Sequence, residues 1–315
     1  MSVELDRAVA TVVERCLGVA AGEEVLVVAD PERADLGRAL HEAVLAAGGD
    51  GALAIVAPDA GRGTEPPRSV AAALARADAY LAPCLPSISH TLARKVATEA
   101  GVRGATLPGV TAELLARLMG ADFDVLTRRS QAVAALLTEA DEAHLTCPRG
   151  TNLRLDLSGR AGISDHGDLT APGAFGNLPC GEGFVAPFDG EGPLVASSVP
   201  GPGVISDEPV LLTVAGGWLV AGEGRHAAAY LEQLDAHGHA GRNLAELGVG
   251  TNERATLTGN ILEDEKILGT AHVAFGASAA IGGTVAVAVH LDVVVLEPTV
   301  TVGGTTVVDA GRFVL

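Results

Sequence analysis

Two hydrophobic periods alternate from residue 1 to about residue 145, and this alternation restricts the fold more than any other feature of the chain. EEVLVVAD (residues 23–30) is a continuous apolar run of strand length, and LGRALHEAVLAAGG (36–49) follows with helical spacing and a glycine stop. GALAIVAP, RSVAAALARA and AYLAPCLP repeat the pattern, and TLARKVATEAG, RGATLPG and TAELLARLM continue it. Strands that are apolar on both faces need cover on both faces, so parallel βαβ units flanked by helices are expected. DFDVLTRRSQAVAALLTEADEAHLTC then predicts a longer helix leading into a strand.

Near residue 147 the pattern changes. TNLRLDLSGR alternates like a short strand, and SDHGDLTAPGAFGNLPCGEGFVAPFDGEGP is dense in Gly and Pro. Short strands follow (VLLTVAGGWLVAG, TVAVAVHLDVVVLEPTV, TTVVDAGRF), with one helix around HAAAYLEQLDAHG. The expected fold class is α/β: an N-terminal parallel-sheet α/β domain over residues 1–147, then a β-rich α+β domain over residues 148–315. A chain of 315 residues accommodates two such cores. Long loops inside a compact domain serve a site, which points to the second half. In the first half VVADPERADLG stands where a GxGxxG loop would bind a dinucleotide, so that half is expected to be scaffold.

Charge narrows the partners. The formal net charge is −18, from 21 basic and 39 acidic residues, and no basic cluster longer than a few residues occurs. That excludes a nucleic-acid footprint and disfavours an anionic membrane surface. A peptide or small-molecule ligand, or bound cations, fits better. Cys16, Cys84, Cys147 and Cys180 are far apart with no CxxC pair, as expected of reduced thiols in a cytoplasmic protein. MSVELDRAVATVVERCLG is an amphipathic helix pattern without the basic start of a signal peptide, and no apolar run reaches membrane-spanning length.

Several polar residues stand in apolar surroundings of the second half. In AVHLDVV, His290 and Asp292 are two apart on a strand and so project from one face. Buried there, they must be paired or bound to a metal. His272, in GTAHVAFG, is a single histidine in an apolar strand, either a hydrogen-bonded core residue or a ligand. Two imidazoles and a carboxylate suit Zn, Fe, Mn or Co. Glu182, in NLPCGEGFVAP, and Glu246, in NLAELGVGTN, add carboxylates, although each alone could cap a turn. Glu263–Glu265 with Lys266 is expected to be a solvated loop, and the HGH of His237 and His239 a helix end. His41, His90 and His144 are widely spaced and lack a carboxylate at ligand spacing.

Taken in order, NLPCGEGFVAP, NLAELGVGTN, GTAHVAFG and HLD resemble the blocks of the aminopeptidase T family of metallopeptidases, with the specific similarity lying in residues 177–292. The resemblance implies a homodimer whose enclosed site holds a dinuclear centre, two divalent ions such as zinc, cobalt or manganese. Carried over residue by residue, Glu182, Glu246, His272, His290 and Asp292 become the metal ligands of a catalytic domain. Cation-activated water would attack an N-terminal peptide bond, and Glu182 or Glu246 would move the proton to the leaving nitrogen. The family's tyrosine after the histidine is replaced here by GASAA, and the chain's tyrosines are Tyr80 and Tyr230. The chain is similar also to 2,5-dihydroxypyridine 5,6-dioxygenase, which implies one Fe(II) on His272, His290 and Asp292. A third expectation, from the absent tyrosine, is a metal-binding protein without turnover.

Overall fold

The computed structural model describes residues 2–57, 65–85, 87–89 and 91–315, so that His90 lies outside the described residues. The chain divides into two compact units, Met1–Ala121 with Gly167–Cys180, and Asp122–His166 with Gly181–Leu315. The expected division at residue 147 is thereby corrected in two places. The helix Phe123–Glu139 buries Val133 and Leu137 in the core of the second unit, and the strand Glu142–Thr146 pairs antiparallel with Asn152–Asp156 in the same unit. Residues 167–180 return to the first unit, where the strand Phe175–Asn177 extends the parallel sheet beside Arg103–Thr106.

The first unit carries the expected parallel sheet. Its strand order is Asp50–Ile55, Glu24–Ala29, Ala79–Ala82, Arg103–Thr106 and Phe175–Asn177, all neighbours parallel. That is a doubly wound order, which forms when successive crossovers wind to both sides of the first strand. Leu26, Val28, Tyr80 and Ala82 fill the core on one face. Arg103, buried at the start of its strand, donates to the Leu17 and Gly18 carbonyls and to both oxygens of Glu23. This ties the segment before the first strand to the fourth.

The second unit is built from two antiparallel sheets, one of eight strands and one of seven. Leu153, Leu155 and Leu194 of the larger sheet and Leu247, Val273 and Val293 of the smaller one belong to a single buried cluster. The smaller sheet runs Gly203–Val204, Ser198–Val199, His290–Val295, Ala271–Gly276, Leu244–Gly250, Glu182–Val185 and Ile163–Asp165. Side chains alternate between its faces. Leu291, Val293 and Val295 therefore enter the core, and so do Val273, Phe275, Leu247, Val249 and Val185. Their neighbours in sequence, including every expected ligand, are left on the opposite face. No helix of the described residues is long and apolar enough to cross a membrane.

Candidate metal centre

Strand register gathers the expected ligands. Ala274 pairs with Glu246 on one side and Asp292 on the other, His272 pairs with Gly248, and Glu182 pairs with Gly250. Leu244 and Leu247 are three apart yet both enter the core, because Ala245 is an extra residue at a bulge between Leu244 and Glu246. The bulge lets Glu246 point to the site face. At Gly248 a Cβ would lie on the imidazole of His272, so only glycine leaves the ring room to cross the neighbouring strand. Gly250 likewise has no side chain to block the carbonyl of Ile267, and the segment beside it passes close.

Two groups of donors result. Glu182, Glu246 and His272 form one, and Glu246, His290 and Asp292 the other. Glu246 belongs to both: its Oε1 lies 3.3 Å from His272 Nε2 and its Oε2 lies 3.4 Å from His290 Nε2. Glu182 Oε2 is 3.0 Å from His272 Nε2, and Asp292 Oδ1 is 3.6 Å from His290 Nε2. His290 Nδ1 lies 2.8 Å from the Ala277 carbonyl. Donation of an Nδ1 proton there fixes the ring and leaves Nε2 for the site, as in metal-bound histidines. The expected single-iron set of His272, His290 and Asp292 is divided between the two groups.

With no metal ion present, protons on the two imidazoles balance part of the carboxylate charge. Burial opposes charge on both imidazoles, but Glu182 and Glu246 around His272, and Asp292 and Glu246 around His290, outweigh it and raise both pKa values well above the ordinary. Burial likewise pushes the Glu246 and Asp292 carboxyls up, and the imidazoles bring them down below the usual range. Glu182 Oε2 and His272 Nδ1 are buried and have no hydrogen-bond partner; the 3.0 Å approach of Oε2 to the ring is not aligned as a hydrogen bond. An oxygen left bare between an imidazole nitrogen and a second carboxylate fits a divalent ion, which needs N and O donors converging without protons.

The residues read as a solvated loop are buried instead, which corrects that expectation. Lys266 is 1% exposed, Glu265 7%, and Glu263 and Asp264 fully buried. Glu263 accepts from the Thr256 backbone and Asp264 from the Thr258 backbone and the Ser198 hydroxyl, so this acid pair staples the loop before it. Lys266 Nζ lies 2.5 Å from Glu182 Oε1, 2.8 Å from Glu265 Oε1 and 3.9 Å from Asp165 Oδ2. Burial alone would raise the Glu182 carboxyl, but the Lys266 ammonium and His272 hold it down at about 2. Burial pushes Glu265 up to about 8: the Lys266 ammonium opposes the shift, and the nearby Asp292 and Glu182 charges add to it. A run of acids and a lysine carries the composition of a surface turn; only the flanking Ile261, Leu262, Ile267 and Leu268 hinted that it lies inside.

Elsewhere the outcome is ordinary. The helix Ala227–Asp235 does end before His237 and His239, and His239 stacks on Trp218 at 3.8 Å. His41 lies 3.1 Å from the Gly51 carbonyl, and His144 2.7 Å from Asn152 Oδ1. Tyr230 does not replace the missing family tyrosine, since its buried hydroxyl donates to the Leu291 carbonyl.

The family model of 2,5-dihydroxypyridine 5,6-dioxygenase (NicX) matches residues 4–315. The chain belongs to that family. Among solved structures, the 2,5-dihydroxypyridine dioxygenase of Pseudomonas putida KT2440 superposes with a TM-score of 0.85 at 18% identity, covering 98% of this chain and 96% of that one. AmpT from Thermus thermophilus superposes with a TM-score of 0.71 at 20% identity, covering 99% of each chain. No curated protein matches in sequence. Both likenesses expected from the sequence blocks are therefore present, and the fold is theirs. The chain is a member of an enzyme family, with donor groups suited to a divalent metal.

Proposed function

We propose that the protein is a metal-dependent hydrolase that cleaves an amide bond, an aminopeptidase-type reaction on a peptide or a related small molecule. The observation that supports it best is Glu246, shared by both donor groups with one oxygen toward each histidine. A carboxylate so placed suits two cations side by side, zinc, cobalt or manganese, as does the AmpT-like fold. Two bound divalent ions supply Lewis acidity toward a carbonyl and bring the pKa of water toward neutrality.

The chain's own residues set the stage for that chemistry. Glu246 spans the two groups, Glu182 offers Oε2 beside His272, and the Ala277 carbonyl holds the His290 ring. Glu182, kept ionised by Lys266, serves in this reading as an anionic donor rather than as the carrier of a proton.

A second reading is a mononuclear non-haem Fe(II) ring-cleaving dioxygenase, favoured by the family match and by the likeness to the Pseudomonas putida enzyme. Glu246, His290 and Asp292 would then hold one ion. Assays of one preparation separate the two. With zinc, cobalt or manganese, aminoacyl anilides or short peptides should be hydrolysed without oxygen consumption. Oxygen uptake on 2,5-dihydroxypyridine with Fe(II), and no amide hydrolysis, would overturn the first reading in favour of the second.

A further inference from the structure

Lys266 is a buried lysine beside the donors, and the proposed chemistry uses only its charge, not its direction of approach. Its backbone is anchored on both sides: its N–H donates to the Glu263 carbonyl and its carbonyl accepts from Asn252. Its ammonium therefore approaches the donors from a fixed direction. It meets Glu182 on Oε1 and Glu265 on Oε1, while Glu182 Oε2 points to His272 with no hydrogen-bond partner. The two oxygens of Glu182 are thus divided between two tasks. A carboxylate in a buried site would otherwise be free to rotate, to chelate with both oxygens or to turn to His272 with either.

We propose, resting on the metal reading above, that Lys266 is a positioning residue that holds Glu182 Oε1 and so commits Glu182 to a metal ion through Oε2 alone. Glu265 completes the arrangement as the second acceptor that aims the ammonium. The ligand class is a divalent cation at the Glu182–Glu246–His272 group, and Lys266 tunes that group while leaving Glu246–His290–Asp292 untouched. Partners outside the ligand set commonly change metal affinity by about 10- to 100-fold.

Cobalt titration of the stripped protein, followed by the visible d–d absorption, reads each group without any turnover. Wild type should take up two equivalents. Lys266→Met should keep the first and bind the second about 10- to 100-fold more weakly, with altered absorption. Lys266→Arg, which keeps the charge, should recover part of the loss. A Lys266→Met protein with two wild-type equivalents and an unchanged spectrum overturns the assignment while leaving the metal reading intact. Wild type that takes up no cobalt overturns the metal reading and Lys266 with it. Should Lys266→Met fail to fold, a crystal structure of cobalt-loaded wild type decides: Oε1 on Lys266 with Oε2 on cobalt supports the proposal, and chelation by both oxygens overturns it.

Discussion

Glu246 links the two donor groups, because each of its oxygens faces a different histidine. Glu246→Gln preserves the shape and removes the charge. It should cost at least one metal equivalent and lower turnover by about 100-fold or more, read by elemental analysis beside an activity assay. His290→Ala or Asp292→Ala should lose metal and activity together; metal retained at the wild-type level would remove that pair from the site. Away from the site, Glu23 gives a test with a definite sign. Hydrogen bonds from Arg103, only partly offset by burial, hold its carboxyl below the ordinary 4.5. A depressed acid stabilises the fold above its unfolded pKa, and the contribution disappears as pH falls through the folded value. Urea unfolding should show Glu23→Gln less stable than wild type by about 2 kcal/mol at neutral pH, the gap closing well below pH 4.5. An equal gap at about pH 3 would contradict the ion-pair explanation.

Elements place these residues, and here the sequence was unevenly legible. The period of two sufficed to put His290 and Asp292 on one face, opposite the valines of the core, whereas the register with the neighbouring strand brings His272 to the same face. The bulge at Ala245 was not readable, because LAELGVG gives no sign of which residue is extra until its partner strand is known. The three-residue strand Phe175–Asn177 was missed for a related reason: its place in the first unit comes from pairing with Arg103–Thr106, far away in sequence. Burial of Lys266 was equally hidden, since its acidic partners Asp165 and Glu182 come from strands about a hundred residues earlier. Gly248 offers a test of how the strands place the His272 ring. Gly248→Ala puts a methyl group against the His272 ring at an overpacking cost of about 1–3 kcal/mol. Metal affinity and activity should fall sharply while circular dichroism still reports the folded sheet. Wild-type affinity in that variant would mean that the ring does not depend on the cradle.

At the scale of the whole molecule, the alternating first half and the β-rich remainder were both foreseeable, whereas the path of the chain between the two units was not. All five donors and Lys266 belong to the second unit. Cations held there would stabilise that unit by mass action, by about 4 kcal/mol when free metal exceeds its Kd a thousandfold. Hydrogen exchange with and without a chelator should show protection lost in Glu182–Val185, Leu244–Gly250, Ala271–Gly276 and His290–Val295. Exchange in Glu24–Ala29 and Asp50–Ile55 should hardly change, and a loss concentrated there would put the site in the wrong unit. Whether Glu246 joins two cation sites is read most directly from the number of metal ions per chain. Elemental analysis of gently purified protein should approach two divalent ions per chain, falling to one or none in Glu246→Gln. A single ion per chain that saturates activity would contradict it.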